Sequence, residues 1–118
     1  MPAPNRATTA FSENVVASAA RTASGNSGAL TGWGSASTLR AQLNVTAASG
    51  TAPTLDVVLE DSVDGGTTWN TIGTFTQATT GARQVINVTT PFTDTLRVRW
   101  TVGGTTPSFT FAVDVYSE

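Results

Sequence analysis

The chain has no cysteine, no histidine and no lysine. Without cysteine there can be no disulfide, no thiolate nucleophile and no thiolate metal site. Without histidine it lacks the commonest general base and the commonest metal ligand. All six basic residues are arginines: Arg6, Arg21, Arg40, Arg83, Arg97 and Arg99. Charged residues make up only 12% of the chain, about half the usual quarter. The net charge of −2, with no basic cluster, argues against nucleic acid as a partner, because phosphate binding needs concentrated positive surface. No apolar run approaches the roughly 20 residues of a membrane span, so no membrane partner is expected. The opening MPAPNRATTAFSENVV has neither the basic nor the apolar region of a signal peptide. A soluble protein without a signal sequence is the expectation.

What is present suffices for a core. Hydrophobic residues make up 39% of 118 residues and the mean hydropathy is near zero, which fits one folded domain and not a disordered chain. The pattern changes near Ser37. Before it, FSENVVASA (residues 11–19) reads as a strand, and the Gly/Ser-rich stretch 21–36 reads as loop, with GALTGW a candidate short strand. After it, a period of two dominates. Leu39, Ala41, Leu43 and Val45 alternate with Arg40, Gln42, Asn44 and Thr46, so the first set is expected to be buried and the second wet. Leu55, Val57 and Leu59 repeat the pattern, followed by TTWNTIGTF and RQVINVT. In the last two runs Leu96, Val98, Trp100 and Val102 share one face, as do Phe109, Phe111, Val113 and Val115. Leu43, Val57, Leu59, Val98, Trp100, Phe109, Phe111 and Val113 are the expected core. Seven or eight strands at roughly 8–12-residue spacing, with no helical pattern, predict an all-β antiparallel sandwich, jelly-roll or immunoglobulin-like. No internal repeat is evident.

Residues 62–69, SVDGGTTW, match the S-x-D-x-G-x-T-W pattern of the Asp-box, a hairpin found on the propeller blades of sialidases. Each residue has a structural task. Asp64 can bond nearby amides, the glycines accept positive φ, Thr67 and Thr68 open the return strand, and Trp69 can fold over the turn. A propeller needs several blades of about 40 residues, whereas the motif occurs once here. Ser62, Asp64, Gly66, Thr68 and Trp69 are therefore expected to build a structural hairpin without a ligand role, and Asp64 to be stabilising.

The carboxylates do not suggest an enzyme. Asp56 and Glu60 are expected on the solvent face of one strand, about 13 Å apart, whereas a glycosidase pair sits about 5–10 Å apart in a cleft. Glu60, Asp61 and Asp64 supply hard oxygens of the kind that suit calcium, but without the spacing of a known calcium loop. No cofactor or metal is expected. Arg97 and Arg99 flank Val98 on its opposite face; they can pair with an acid such as Asp114 or dock on an acidic partner. Trp33, in LTGWGS, is the strongest candidate for an exposed, ligand-binding aromatic.

The segments SGTAPTLDV, SVDGGTTW, LRVRW and GTTPSFTF, in this order between Leu39 and Val115, resemble small virion proteins of tailed bacteriophages that infect actinobacteria, the head decoration, minor capsid and minor tail proteins. The resemblance implies a non-enzymatic β-sandwich on the phage head surface, made in the host cytoplasm. Its implied partners are the major capsid protein and further copies of the chain, with a trimer favoured. The alternative is a minor tail protein or a tail-associated carbohydrate-binding module. Residues 1–10 are set apart from the domain at 11–118 as an extended arm. Pro2 and Pro4 disfavour helix and limit the free chain's conformations, and Arg6 carries the arm's one side-chain charge. These residues are expected to attach to a neighbouring subunit or to the shell.

Overall fold

In the computed structural model, which describes residues 11–34 and 36–118, the chain is all-β. Six strands follow one another: β1 (Phe11–Arg21), β2 (Gly25–Asn26), β3 (Leu39–Ser62), β4 (Asn70–Thr74), β5 (Ala82–Val88) and β6 (Thr95–Ser117). All pairings are antiparallel. The centre is the β3–β6 ladder, which runs from Leu39↔Ser117 to Ser62↔Thr95. A straight strand of 24 residues would reach about 80 Å, yet the molecule's longest dimension is 50 Å. The ribbon must therefore fold over. Trp100 and Phe111, 11 positions apart on the same strand, meet edge to face with centroids 5.5 Å apart.

The fold line defines two layers. In one, β1 pairs with the C-terminal half of β6, which pairs with the N-terminal half of β3, which pairs with β5. In the other, β2, the N-terminal half of β6, the C-terminal half of β3 and β4 follow in the same order. Counting each long strand as two gives eight strands in two four-stranded layers, wound in the order of a jelly roll. That selects between the two architectures expected from the sequence.

Alternation placed the core correctly. Leu43, Val57, Leu59, Val98, Phe109, Phe111 and Val113 are fully buried, and Trp100 is 8% exposed. Leu39, Ala41, Val45, Leu55, Leu96 and Val115 join the same cluster, while Val102, nearer the fold line, is only half-buried. The stretch expected to be loop behaves as an irregular edge. Ser24 Oγ accepts from the Val102 amide, Gly25 and Asn26 pair with Trp100 and Arg99, and Leu30 and Leu96 exchange two 2.8 Å backbone bonds. The short strand thus lies at Gly25–Asn26, and GALTGW contributes one bridge, at Leu30.

A short repeat does exist, at the fold line itself. Gly50-Thr51-Ala52-Pro53 on β3 faces Gly104-Thr105-Thr106-Pro107 on β6, with Thr51 paired to Thr105. In each copy the glycine (φ 115° and 111°) and the third residue (Ala52 50°, Thr106 45°) have positive φ. The register shifts between Ser49 and Thr51 and between Thr51 and Thr54 are bulges that bend a ribbon. Each glycine lies against the other copy. A Cβ on Gly50 would stand 2.8 Å from the Thr106 carbonyl oxygen, and one on Gly104 2.7 Å from that of Ala52. Four residues on each strand are too short a pattern to register as a repeat without knowing that they meet.

Candidate functional site

The Asp-box residues form the β3–β4 hairpin, with Asp61 paired to Asn70. Ser62 Oγ donates to Asp64 Oδ1 at 2.7 Å and accepts from the Gly66 amide at 2.8 Å. Asp64 Oδ1 also accepts from the amides of Thr67 and Thr68, and Oδ2 from the Thr68 hydroxyl at 2.7 Å. The return strand begins at Asn70, later than expected, because Thr67 and Thr68 give their amides to Asp64 and not to the ladder. Trp69 lies against Gly66, and the Arg97 guanidinium sits 4.4 Å from its ring centroid.

These bonds, led by the Thr68 amide and followed by the Ser62 and Thr68 hydroxyls, hold the Asp64 carboxyl well below the usual carboxylate range. A depressed folded-state pKa gives stability that is present above the unfolded value and lost as pH falls through the folded one. Asp64→Asn should therefore lower the melting temperature by a constant amount near neutral pH, and the gap should close below about pH 4. Thermal melts of both proteins from pH 7 to pH 2 check this. A gap that persists unchanged at pH 2 would mean that charge on Asp64 does not hold the turn.

Arg97 and Arg99 meet on one carboxylate. Arg97 Nε donates to Glu60 Oε1 at 2.7 Å and Arg99 Nε to Oε2 at 3.0 Å. Glu60 does occupy an outward position of β3, but it is not wet: the two arginines cover it, and it is 4% exposed. Their partner is thus Glu60 rather than Asp114, which accepts from Asn14 Nδ2. Removing Glu60 would leave two cations without their shared anion, whereas removing Arg99, which is 42% exposed, would break the more solvent-screened half of the network.

Other acids have internal partners too. Asp61, 5% exposed, accepts from the amide and hydroxyl of Thr93. Asp94 accepts from the amides of Gly32 and Gly34, and Asp56 from Gln77. Glu60, Asp61 and Asp64 therefore point to three different sets of donors. Among the described residues no group of three metal-ligating side chains converges.

Trp33 corrects the expectation of an exposed aromatic. It is 1% exposed and belongs to the core, held in place where its loop is tied to Asp94. Pro2, Pro4 and Arg6, expected to bind a partner, lie outside the described residues. Among the described residues the large aromatic that is exposed is instead Tyr116, at 38%. The alternation that buries Val113 and Val115 turns Tyr116 outward, so the signal was available in the sequence.

No protein-family model and no curated protein sequence matches the chain. Among solved structures, a chain from the structure of infectious bursal disease virus, Gx strain, is similar to it at 9% identity, with a TM-score of 0.51. The match covers 91% of this chain and 31% of that one, so the chain spans about a third of the length of the virus chain. The likeness is one of fold.

Proposed function

We propose that the chain is a non-enzymatic structural protein of a virion, a decoration protein that attaches to the outside of a tailed-phage head. The observation that carries this reading is the jelly roll, a fold likened above to a chain of a virus structure. The ordered motifs between Leu39 and Val115 support the same reading. So does the chemistry of the acids, since Asp56, Glu60, Asp61, Asp64, Asp94 and Asp114 are engaged in turns, loop ties, an ion-pair network and a cross-strand bond. Its partners on this reading are the major capsid protein and further copies of itself, with a trimer favoured, and residues 1–10 form the attachment arm.

Cryo-EM of particles assembled with and without the protein tests the proposal. Added density is expected on the outer face of the head. Density confined to the tail would reassign the chain as a minor tail protein, and particles that never carry it would overturn the reading. Deleting residues 2–10 should leave the melting temperature of the free domain nearly unchanged while occupancy on heads falls sharply. Equal occupancy of the truncated and full chains would assign attachment to the sandwich itself.

A further inference from the structure

The outer face of the layer built from β1, β6, β3 and β5 has a different chemistry from the Glu60 face. Register sets Ser12, Tyr116, Arg40 and Asn87 side by side in one row, and Asn14, Asp114, Gln42 and Val85 in the next. Two shallow depressions open on this face and share Arg40 and Tyr116. One is bordered by Ser12, Gln42, Val85 and Asp114, the other by Asn87 and Thr89. Arg40 is exposed and makes no ion pair with a described residue.

We infer that this face is a saccharide-binding site, in which the Tyr116 ring is the platform for a sugar ring and the side chains around it bind hydroxyls. A sugar ring has an apolar C–H face and an equatorial belt of groups that both donate and accept hydrogen bonds. The site answers each part. Tyr116 offers an exposed aromatic surface, which suits a ligand with one apolar and one polar aspect. Arg40 supplies donors only, Asp114 accepts from Asn14 through Oδ1 and presents Oδ2 as an acceptor, and Gln42, Asn87, Ser12 and Thr89 do both. Strand geometry spaces these groups about 5 Å across and about 7 Å along the face, so they surround the ring instead of crowding it. The two depressions flank the shared pair, which provides for a chain of sugars rather than a single unit. A few placed polar groups around an apolar surface is the usual make-up of a small-ligand site.

The site does not depend on the virion reading, because binding is measured on the isolated protein. Amide chemical shifts would be followed by NMR while tetrasaccharides of glucose, galactose and mannose are added separately, each to about 10 mM, which covers the weak affinities typical of an open site. At least one is expected to shift amides confined to residues 12–14, 40–42, 85–87 and 114–116. Tyr116→Ala should abolish the response and Tyr116→Trp should keep it, both with a native melting temperature. Arg40→Ala should weaken binding about tenfold, the scale of losing a charged hydrogen bond. No localised shift with any of the three sugars would overturn the proposal, as would an undiminished response in Tyr116→Ala. If Tyr116→Ala instead lowers occupancy on phage heads while no sugar is bound, the face is a protein-docking surface and the saccharide assignment fails.

Discussion

Replacing Trp100 with alanine is expected to destabilise the domain by about 3–5 kcal/mol, the range for emptying a buried tryptophan site. A domain of this size is stable by about 5–15 kcal/mol, so the variant would lose much or most of that. The effect is large because Trp100 joins both layers and the edge segment between β1 and β2. Its ring meets Phe111 of the other layer edge to face, and the Arg21 guanidinium lies 5.0 Å from the Trp100 centroid and 4.7 Å from that of Phe111. Its Nε1 donates to the Ala23 carbonyl at 3.2 Å, which ties down the chain between β1 and β2. Gly25 packs so closely on the indole that a Cβ there would stand 3.1 Å from Cζ2. Alanine would open a cavity and release this edge, whereas Trp100→Phe should keep part of the packing and lose the Ala23 bond. Urea denaturation of the three proteins measures it. A loss below about 1 kcal/mol for the alanine variant would mean that the site collapses freely and the two layers do not depend on this contact.

The second large effect is expected at the crossing of the two Gly-Thr-x-Pro segments. Gly104→Ala would have to hold φ 111°, where an L-residue is strained by about 1–2 kcal/mol. It would also push a methyl group to 2.7 Å from the Ala52 carbonyl oxygen and 2.9 Å from the Pro53 Cα. Those neighbours are backbone and cannot rotate away, so overpacking adds about 1–3 kcal/mol. The sum is about 2–5 kcal/mol, and Gly50→Ala should behave alike against Thr106 and Pro107. Gly65→Ala is the control: it too has positive φ, at 78°, but nothing lies within 4 Å of its added Cβ. Its loss should be the smaller by the overpacking component. Equal losses at Gly104 and Gly65 would show that conformation alone, and not the close approach of the two strands, sets the demand for glycine.

The sequence disclosed faces better than it disclosed continuity. Alternation read Leu43, Val57, Phe111 and their neighbours correctly, because a residue's side of a strand depends only on its position. It could not tell that LRAQLNVTA and TLDVVLEDS are one strand. The Gly50 and Pro53 that look like breaks are the means by which a paired ribbon bends without losing its ladder. Glu60 shows a second limit. Its outward direction was legible, but its burial depends on Arg97 and Arg99 across the ladder, and side-chain cover is set by pairing partners that no local pattern names. Trp33 shows a third, since it lies in a stretch with no period and its environment comes from the loop's ties to Asp94. The turn at Asp64 was legible because its chemistry is local: every donor to that carboxylate lies within four residues.

The pairing of Leu39 with Ser117 and of Phe11 with the same Ser117 has a consequence for how the chain comes to be folded. β6 is the strand that both β1 and β3 need, and it is made last of the three. Until it leaves the ribosome, β1 has no ladder partner and β3 has only β4 and β5, so neither layer has its central pair of strands. Contacts this distant along the chain close slowly, on the ms–s scale of all-β domains. Synthesis of β6 therefore completes the fold, and until it is made the edges of β1 and β3 that it will pair are open to other strands.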